Sequence, residues 1–205
     1  MAANKIALPS KEASTGTLAA VKIKPSKLIR VSGRNTGEPY FGASGRNRFD
    51  APGCLANPPA PEFGASYFGF SLDVAIAETL LHDEVADNGQ FKIAPDTFAA
   101  KHVITFKGKE LKLADLTGAP LKLLGGHADL SGTDNYDVTQ QWALAVHQNP
   151  GNFDGFIYMS RHLNTEKAVI LFDRASAKIQ MKEATALLSV PEFAKTKNLF
   201  NIVSS

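Results

Sequence analysis

Short strand candidates, interrupted by only a few helices, constrain the fold of this sequence more than any other feature. Apolar and aromatic runs typical of strands occur at LIRVS (28–32), ASYFGF (65–70), KHVITFKG (101–108), ELKLADLT (110–117), GFIYMS (155–160), KAVILFD (167–173) and KIQMKEA (178–184). Helices are predicted at LDVAIAETLLHDEV (72–85, capped by Ser71), PLKLLGG (120–126) and VTQQWALAVHQNP (138–150), with a helix or irregular segment at 190–200. Because the regular strand–helix alternation of a parallel sheet is missing, the pattern predicts a mixed α+β domain.

The composition is that of an ordinary globular protein. The 205 residues are 44% hydrophobic and 20% charged, which suits one domain with a core of its own. The single cysteine, Cys54, excludes an internal disulfide and a cysteine-rich zinc site. No apolar run approaches the roughly 20 residues needed to span a bilayer, and the start of the chain lacks the apolar stretch of a secretory signal. We therefore expect a soluble protein that acts in a cytoplasm.

Two segments interrupt the pattern of strands and helices. Residues 1–20 mix small, polar and basic residues without a clear period, which predicts a loosely ordered N-terminal extension before a domain at 21–205. The polar segment 32–64 is rich in Gly and Pro, and such long aperiodic segments within compact domains are often functional.

Basic residues are concentrated in the first quarter of the chain. Residues 1–50 hold nine Lys or Arg against three Asp or Glu, whereas the whole chain has a net charge of only +2. Four of the nine are arginines between positions 30 and 48, so this segment either binds an anion or forms a solvated surface. The modest overall charge does not favour a nucleic-acid-binding protein.

Most standard catalytic motifs are missing. The sequence has no HExxH, GxSxG, Walker A or dinucleotide GxGxxG pattern. The five histidines (His82, His102, His127, His147 and His162) are interpreted as scattered, without metal-ligand spacing. Cys54 lies in a Gly/Pro-rich loop with no nearby partner in sequence, so no nucleophilic role is expected. No metal is predicted.

Glu78 is a carboxylate on a mostly apolar face of its predicted helix. Its neighbours one helical turn away are Val74, Ala75, Leu81 and His82. A carboxylate on such an apolar face needs a partner, because burial of an unpaired charge is unfavourable. Glu78 is therefore either half of a salt bridge or a carboxylate that lines a cleft and stabilises positive charge on a ligand.

Arginine and tyrosine side chains complement this carboxylate. Arg30 shares one face of its predicted strand with Leu28, which indicates either a buried ion pair or an anion clamp. Arg48 lies in the loop GRNRFDAPG, where backbone amides could also approach a phosphate, although Arg34 and Arg46 compete for that role. Tyr67 is either a core residue or a platform on which a planar ring stacks.

Four pieces of sequence, taken in order, carry a resemblance to a known family. They are LIRV with Arg30, GRNRFD with Arg48, SYFGFSLDVAIAE with Tyr67 and Glu78, and DGFIYMSR with Ser160. From about residue 27 to about residue 175 the chain resembles the RES domain family, which is named after an arginine, a glutamate and a serine in this order. The N-terminal extension lies outside the resemblance.

The resemblance implies an ADP-ribosyltransferase-like fold, a split, mostly antiparallel β core flanked by helices around an NAD cleft. It also implies a bacterial toxin that breaks the nicotinamide–ribose bond of NAD by phosphorolysis or hydrolysis. NAD would be a substrate and inorganic phosphate a possible co-substrate, with no cofactor and no metal required. The partners implied are NAD and an antitoxin or immunity protein that covers the active site, with no need for a membrane or a nucleic acid.

The site residues implied are Glu78, Arg30 and Ser160 for catalysis, and Arg30, Arg48, Tyr67 and Ser160 for NAD binding. Ser160 would hydrogen-bond the nicotinamide ribose or brace Glu78, and is not expected to be a covalent nucleophile. Two alternatives remain open: transfer of ADP-ribose to a macromolecule, and a non-catalytic module that binds a nucleotide or nucleic acid.

Overall fold

Eight strands form one mostly antiparallel sheet, which is the frame of the molecule. The computed structural model describes residues 6–204. The strands of the chain are β1 (Ala20–Ile23), β2 (Ile29–Ser32), β3 (Ala65–Gly69), β4 (Phe91–Ile93), β5 (His102–Gly108), β6 (Leu111–Asp115), β7 (Gly155–Met159), β8 (Lys167–Phe172), β9 (Ile179–Ala186) and β10 (Ile202–Ser204). The order across the large sheet is β1-β6-β7-β8-β3-β2-β5-β9, and only β6 and β7 pair in parallel. Strands β4 and β10 form a separate parallel pair.

Residues 6–204 contain seven α-helices. They are α1 (Lys11–Thr15), α2 (Leu72–Ala77), α3 (Pro95–Ala99), α4 (Gly118–Leu123), α5 (Asp129–Gly132), α6 (Tyr136–Gln148) and α7 (Glu192–Leu199). Short 3-10 turns lie at Pro25–Lys27, Asp173–Ala177 and Leu187–Ser189. Among residues 6–204, no helix is both long and apolar enough to cross a bilayer.

The large sheet is split between β2 and β3. These two strands pair only at Ile29 and Gly69, whereas β2 pairs with β5 along its whole length and β3 does so with β8. The guanidinium of Arg30 extends from β2 to β3 and donates to the Tyr67 carbonyl at 3.0 Å. The predicted split, mostly antiparallel core with flanking helices is therefore confirmed, and the split opens a cleft between the two halves of the sheet.

Apolar side chains pack against both faces of the sheet, and the cluster on one of these faces joins its two halves. On one face, Trp142 of α6 packs in a cluster with Phe156 and Phe172 of the sheet. On the other, Phe106 and Val169 belong to a second cluster. A third cluster packs α2 and α7 against the smaller half of the sheet. Full burial of such large side chains makes the sheet a rigid support for the cleft.

Most of the predicted elements are present; the differences are one shortened helix and several short elements that were not predicted. The helix predicted at 72–85 ends at Ala77, because the chain then tightens into turns in which the amides of Thr79, Leu80 and Leu81 all donate to the Ile76 carbonyl. Six elements of three to five residues each were not predicted from the sequence: α1, α3, α5, β1, β4 and β10. Elements this short contain too few residues for a period to emerge.

The N-terminal segment differs in part from its prediction. The loosely ordered extension was predicted over 1–20, of which 1–5 lie outside the described residues. From Ile6 onward the segment packs against α6: Ala13 is buried, and Trp142 donates its indole N–H to the Ala7 carbonyl. Asn149 donates to the carbonyls of Ala13 and Gly16, so this part is tied to the domain. The domain boundary at residue 20 stays a prediction.

Candidate active site

A cavity of about 680 Å³ lies at the split in the sheet. Its walls come from β2, β3, the loop at 40–48, the C-terminal end of α2 and the segment that follows β7. Polar and charged side chains from all of these elements reach it, including Arg30, Arg48, Glu78 and Arg161. Its volume is within the range of pockets that bind small molecules.

Local geometry fixes Glu78 at the edge of this cavity. The Ser71 hydroxyl caps the N-terminus of α2 by accepting from the Val74 amide, and Glu78 is the C-terminal cap of the same helix. Gly69 allows the turn between β3 and α2, because a Cβ there would lie 2.8 Å from the Ala75 nitrogen. This close approach fixes the position of α2 relative to β3. Because Glu78 caps the C-terminal end of α2, its position at the cavity is fixed as well.

Ser160 and its neighbour hold the Glu78 carboxylate. The Ser160 hydroxyl donates to Glu78 Oε1 at 2.5 Å, and the Arg161 backbone N–H donates to the same oxygen at 3.2 Å. Ser160 is only 1% exposed, accepts from the Leu163 amide, and lies behind Glu78 rather than in the cavity wall. Among residues 6–204, no basic side chain forms an ion pair with Glu78. The geometry therefore favours a braced cleft carboxylate, and of the two roles for Ser160 it favours the brace.

Arg30 lines the cavity as half of a buried ion pair. Its Nε lies 3.2 Å from Glu38 Oε2, and its Nη1 donates to the Ser66 hydroxyl and the Tyr67 carbonyl. Glu38 is fully buried and accepts from the Ser32 hydroxyl and the Tyr40 amide. Burial lowers the pKa of Arg30, and the nearby Glu38 carboxylate opposes that shift. Much of the charge of Arg30 is thus already balanced, as expected for the buried ion pair that was one of its two predicted roles. Its partner Glu38 was not predicted, because it lies in an aperiodic loop.

Arg48 has one guanidinium nitrogen that bonds to no group among residues 6–204. Its Nη1 donates to the Thr133 carbonyl, while its buried Nη2 has no hydrogen-bond partner in this part of the chain. The guanidinium stacks over the ring of Tyr136 at 4.9 Å. Burial lowers the pKa of Arg48, and the positive charge of Arg161 lowers it further. An anion in the cavity would satisfy the free nitrogen and relieve the repulsion between the two cations.

The competing arginines of the loop do not line the cavity. The guanidinium of Arg34 stacks over the exposed ring of Tyr40 at 4.1 Å, and Arg46 is exposed. Of the three arginines between 34 and 48, only Arg48 contributes to the cavity wall.

Tyr67 lines the cavity with its ring and anchors the loop with its hydroxyl. The hydroxyl donates to Asp50 Oδ1 at 3.2 Å and accepts from the Phe49 amide. Burial, reinforced by the Asp50 charge, raises the pKa of Tyr67 well above its ordinary value. These bonds hold the loop that carries Arg48 against β3, so Tyr67 positions that arginine whether or not a ligand stacks on its ring.

Three residues of the site were not predicted from the sequence: Arg161, His82 and His162. Arg161 lines the cavity and forms an ion pair with Asp134 at 2.8 Å. His82 and His162 also line it, with their ring centroids 4.8 Å apart, so the interpretation that the histidines are scattered was wrong for this pair. The spacing of four residues between Glu78 and His82 was the available signal, whereas His162 reaches the site only through the fold. Burial lowers the pKa of His162.

Comparisons with known proteins agree with this architecture. The family model described as "RES domain" matches residues 27–191. A chain from the crystal structure of the M. tuberculosis MbcT–MbcA toxin–antitoxin complex is similar to this chain, with a TM-score of 0.58 and 15% identity. The match covers 86% of this chain and 92% of that chain, and at this identity it shows a shared fold. A search of curated proteins gave no match.

Proposed function

The chain belongs to the RES domain family, and from this membership we propose that it is a toxin that destroys NAD by cleaving its nicotinamide–ribose bond. The observation that carries the proposal is the Glu78 carboxylate, which is braced by the Ser160 hydroxyl and the Arg161 amide at the wall of the cavity. The similar solved structure is that of a toxin–antitoxin complex, which supports the biological role.

The proposed chemistry needs a fixed negative charge. When the bond between the nicotinamide nitrogen and ribose C1′ breaks, its electron pair leaves with nicotinamide and C1′ becomes positively charged, like an oxocarbenium ion. A carboxylate that already points at this position stabilises the charge without reorganisation. The two hydrogen bonds on Glu78 Oε1 leave Oε2 available to face the ribose. An oxygen of water or of inorganic phosphate then bonds to C1′. Water releases a proton to the solvent and yields ADP-ribose, whereas phosphate yields a phosphorylated ADP-ribose.

Positive side chains across the cavity suit the rest of the substrate. NAD carries two phosphate groups, and the unpartnered Nη2 of Arg48 together with Arg161 offers donors for one of them or for an incoming inorganic phosphate. The NAD-binding roles of Arg30 and Tyr67 stay predictions, because both side chains line the cavity while they already bond to protein groups.

Product analysis tests the proposed function. The purified chain is incubated with NAD, with and without inorganic phosphate, and the products are separated by chromatography and identified by mass. Nicotinamide with ADP-ribose indicates hydrolysis, and nicotinamide with a phosphorylated ADP-ribose indicates phosphorolysis. ADP-ribose attached to an added protein or nucleic acid would instead establish transfer to a macromolecule. Intact NAD in every mixture would contradict the proposal and leave the non-catalytic nucleotide-binding alternative.

An antitoxin is the partner that this proposal implies. Since NAD is an abundant cytoplasmic metabolite, an active toxin in the cytoplasm of its own cell requires a protein that covers the cavity. A complex with such a protein should leave NAD intact, and the free chain should consume it under the same conditions.

The Arg48→Ala variant should weaken phosphate binding. Loss of a charge-assisted hydrogen bond should reduce the binding free energy of inorganic phosphate by about 1.5–3 kcal/mol, as measured by titration calorimetry. Arg48→Lys should restore only part of the lost binding free energy, because a lysine ammonium cannot form the bidentate hydrogen bonds of a guanidinium. Arg46→Ala is the matched control, since it removes an exposed arginine of the same loop. Equal affinity in Arg48→Ala and wild type would move the anion site to another arginine.

The Ser160→Ala variant should slow NAD cleavage without abolishing it. Removal of one hydrogen bond to a carboxylate should lower kcat about tenfold, because Glu78 keeps its charge and its bond to the Arg161 amide. Ser176→Ala, an exposed serine of a 3-10 turn, should leave the rate unchanged. Complete loss of turnover, together with an ADP-ribose adduct on Ser160 in mass spectra of the quenched wild-type reaction, would establish a covalent nucleophile instead.

A further inference from the structure

Glu78, His82 and His162 form a cluster of three potential metal ligands at the rim of the cavity. One ligand atom from each residue lies within 4.8 Å of the other two. Glu78 and His82 are one helical turn apart in sequence, in the turns at the end of α2, and His162 comes from the segment after β7. Two independent parts of the chain therefore converge on one point.

The donor set is chemically suited to zinc. Two imidazole nitrogens and one carboxylate oxygen are ligands that Zn²⁺ binds in three-residue sites, with solvent in the fourth position. His82 is exposed and can adjust its rotamer to close the distances, while Glu78 and His162 are half-buried. A second observation points to a ligand: His162 Nε2 is buried and has no hydrogen-bond partner among residues 6–204. A bound cation would satisfy this nitrogen.

We propose that Glu78, His82 and His162 bind Zn²⁺ and that occupancy of this site inhibits the enzyme. The inhibitory part rests on the proposed function, because it assigns Glu78 to the stabilisation of positive charge at C1′. A zinc ion bound to the carboxylate neutralises that charge and places a divalent cation beside the position where the ribose becomes positive. The same ion would occupy part of the cavity that is proposed to bind NAD, because all three ligands line it.

Zinc binding is tested without reference to activity. Protein freed of any affinity tag and stripped with a chelator is titrated with Zn²⁺ in a calorimeter, and with Co²⁺ while its visible absorption is recorded. We expect one saturable equivalent of zinc and a ligand-field spectrum typical of tetrahedral Co²⁺. Removal of a residue that only hydrogen-bonds to a metal ligand lowers metal affinity about 10- to 100-fold. Removal of a ligand itself, in His82→Ala or in His162→Ala, should therefore lower zinc affinity at least about tenfold.

His127→Ala is the matched control. His127 lies 3.7 Å from Asp129 and so places a histidine beside a carboxylate at another part of the surface. This substitution should leave zinc affinity unchanged. The absence of saturable binding, or equal affinity in wild type, His82→Ala and His162→Ala, would overturn the proposed metal site.

Inhibition is measured within each variant as the rate of NAD loss with zinc divided by the rate without it. At a zinc concentration about ten times the wild-type Kd, the ratio should fall to about one tenth in wild type and in His127→Ala. It should stay at about one half or above in His82→Ala, because a tenfold weaker affinity leaves about half or more of its sites empty. Saturating zinc that leaves the wild-type rate unchanged would overturn the inhibitory role. If the metal-free protein does not consume NAD, the proposed function fails, whereas calorimetry and the cobalt spectrum still decide on the metal site.

Discussion

Glu78→Gln should reduce the rate of NAD cleavage by at least about a hundredfold, the size of effect seen when an electrostatic group that stabilises a transition state is removed. The amide keeps the shape of the side chain and its oxygen still accepts from the Ser160 hydroxyl and the Arg161 amide. What is lost is the negative charge opposite C1′. Because this charge matters most in the transition state, kcat should fall far more than the affinity for NAD.

The control for this result is Glu84→Gln. Glu84 is an exposed carboxylate six residues further along the same segment, so its substitution should leave kcat unchanged. Rates are followed as nicotinamide release, and the melting temperatures of both variants are compared with that of the wild type. A well-folded Glu78→Gln protein that consumes NAD at the wild-type rate would refute the proposed mechanism.

Glu38→Ala should strongly destabilise the fold. The substitution leaves Arg30 largely buried without its counter-ion and also removes the acceptor for the Ser32 hydroxyl and the Tyr40 amide. Removal of one partner from a buried ion pair reduces the free energy of unfolding by about 3–5 kcal/mol. Denaturant unfolding followed by fluorescence or circular dichroism measures the change.

Glu110→Ala is the comparison for Glu38→Ala. Glu110 forms an ion pair with Lys22 at 3.2 Å, but both side chains are more than half exposed. Such surface pairs contribute at most about 1 kcal/mol, so this variant should unfold almost like the wild type. Equal effects of the two substitutions would mean that the Arg30–Glu38 pair does not stabilise the junction between β2 and β3.

Much of the frame could be predicted because local patterns determine it. The runs at 65–70, 101–108, 155–160 and 167–173 are rich in β-branched and aromatic residues, which fit the buried surface of a pleated sheet, and all four form strands. The Ser71 cap was predictable as well, since a serine hydroxyl before an apolar helix satisfies a free amide there. The end of α2 at Ala77 was not, because tertiary packing of Leu80 and Leu81 decides it.

For the candidate site, the sequence by itself determined which residue types were present and in what order. The family resemblance then singled out Glu78, Arg48 and Ser160 among them, and the match over residues 27–191 agrees with it. The aperiodic loop at 32–64 was predicted as functional, and its Arg48 does line the cavity.

Only the tertiary structure decided which hydrogen bonds and ion pairs the site residues form. Ser160 braces Glu78 across 82 positions of the chain, Glu38 balances Arg30, and His162 joins His82 beside the same carboxylate. Hydrogen bonds and ion pairs act over about 3–4 Å, whereas a sequence carries information on spacing only within an element. The split between β2 and β3 brings these distant segments within that range, and it is therefore the fold that turns separate polar residues into a site.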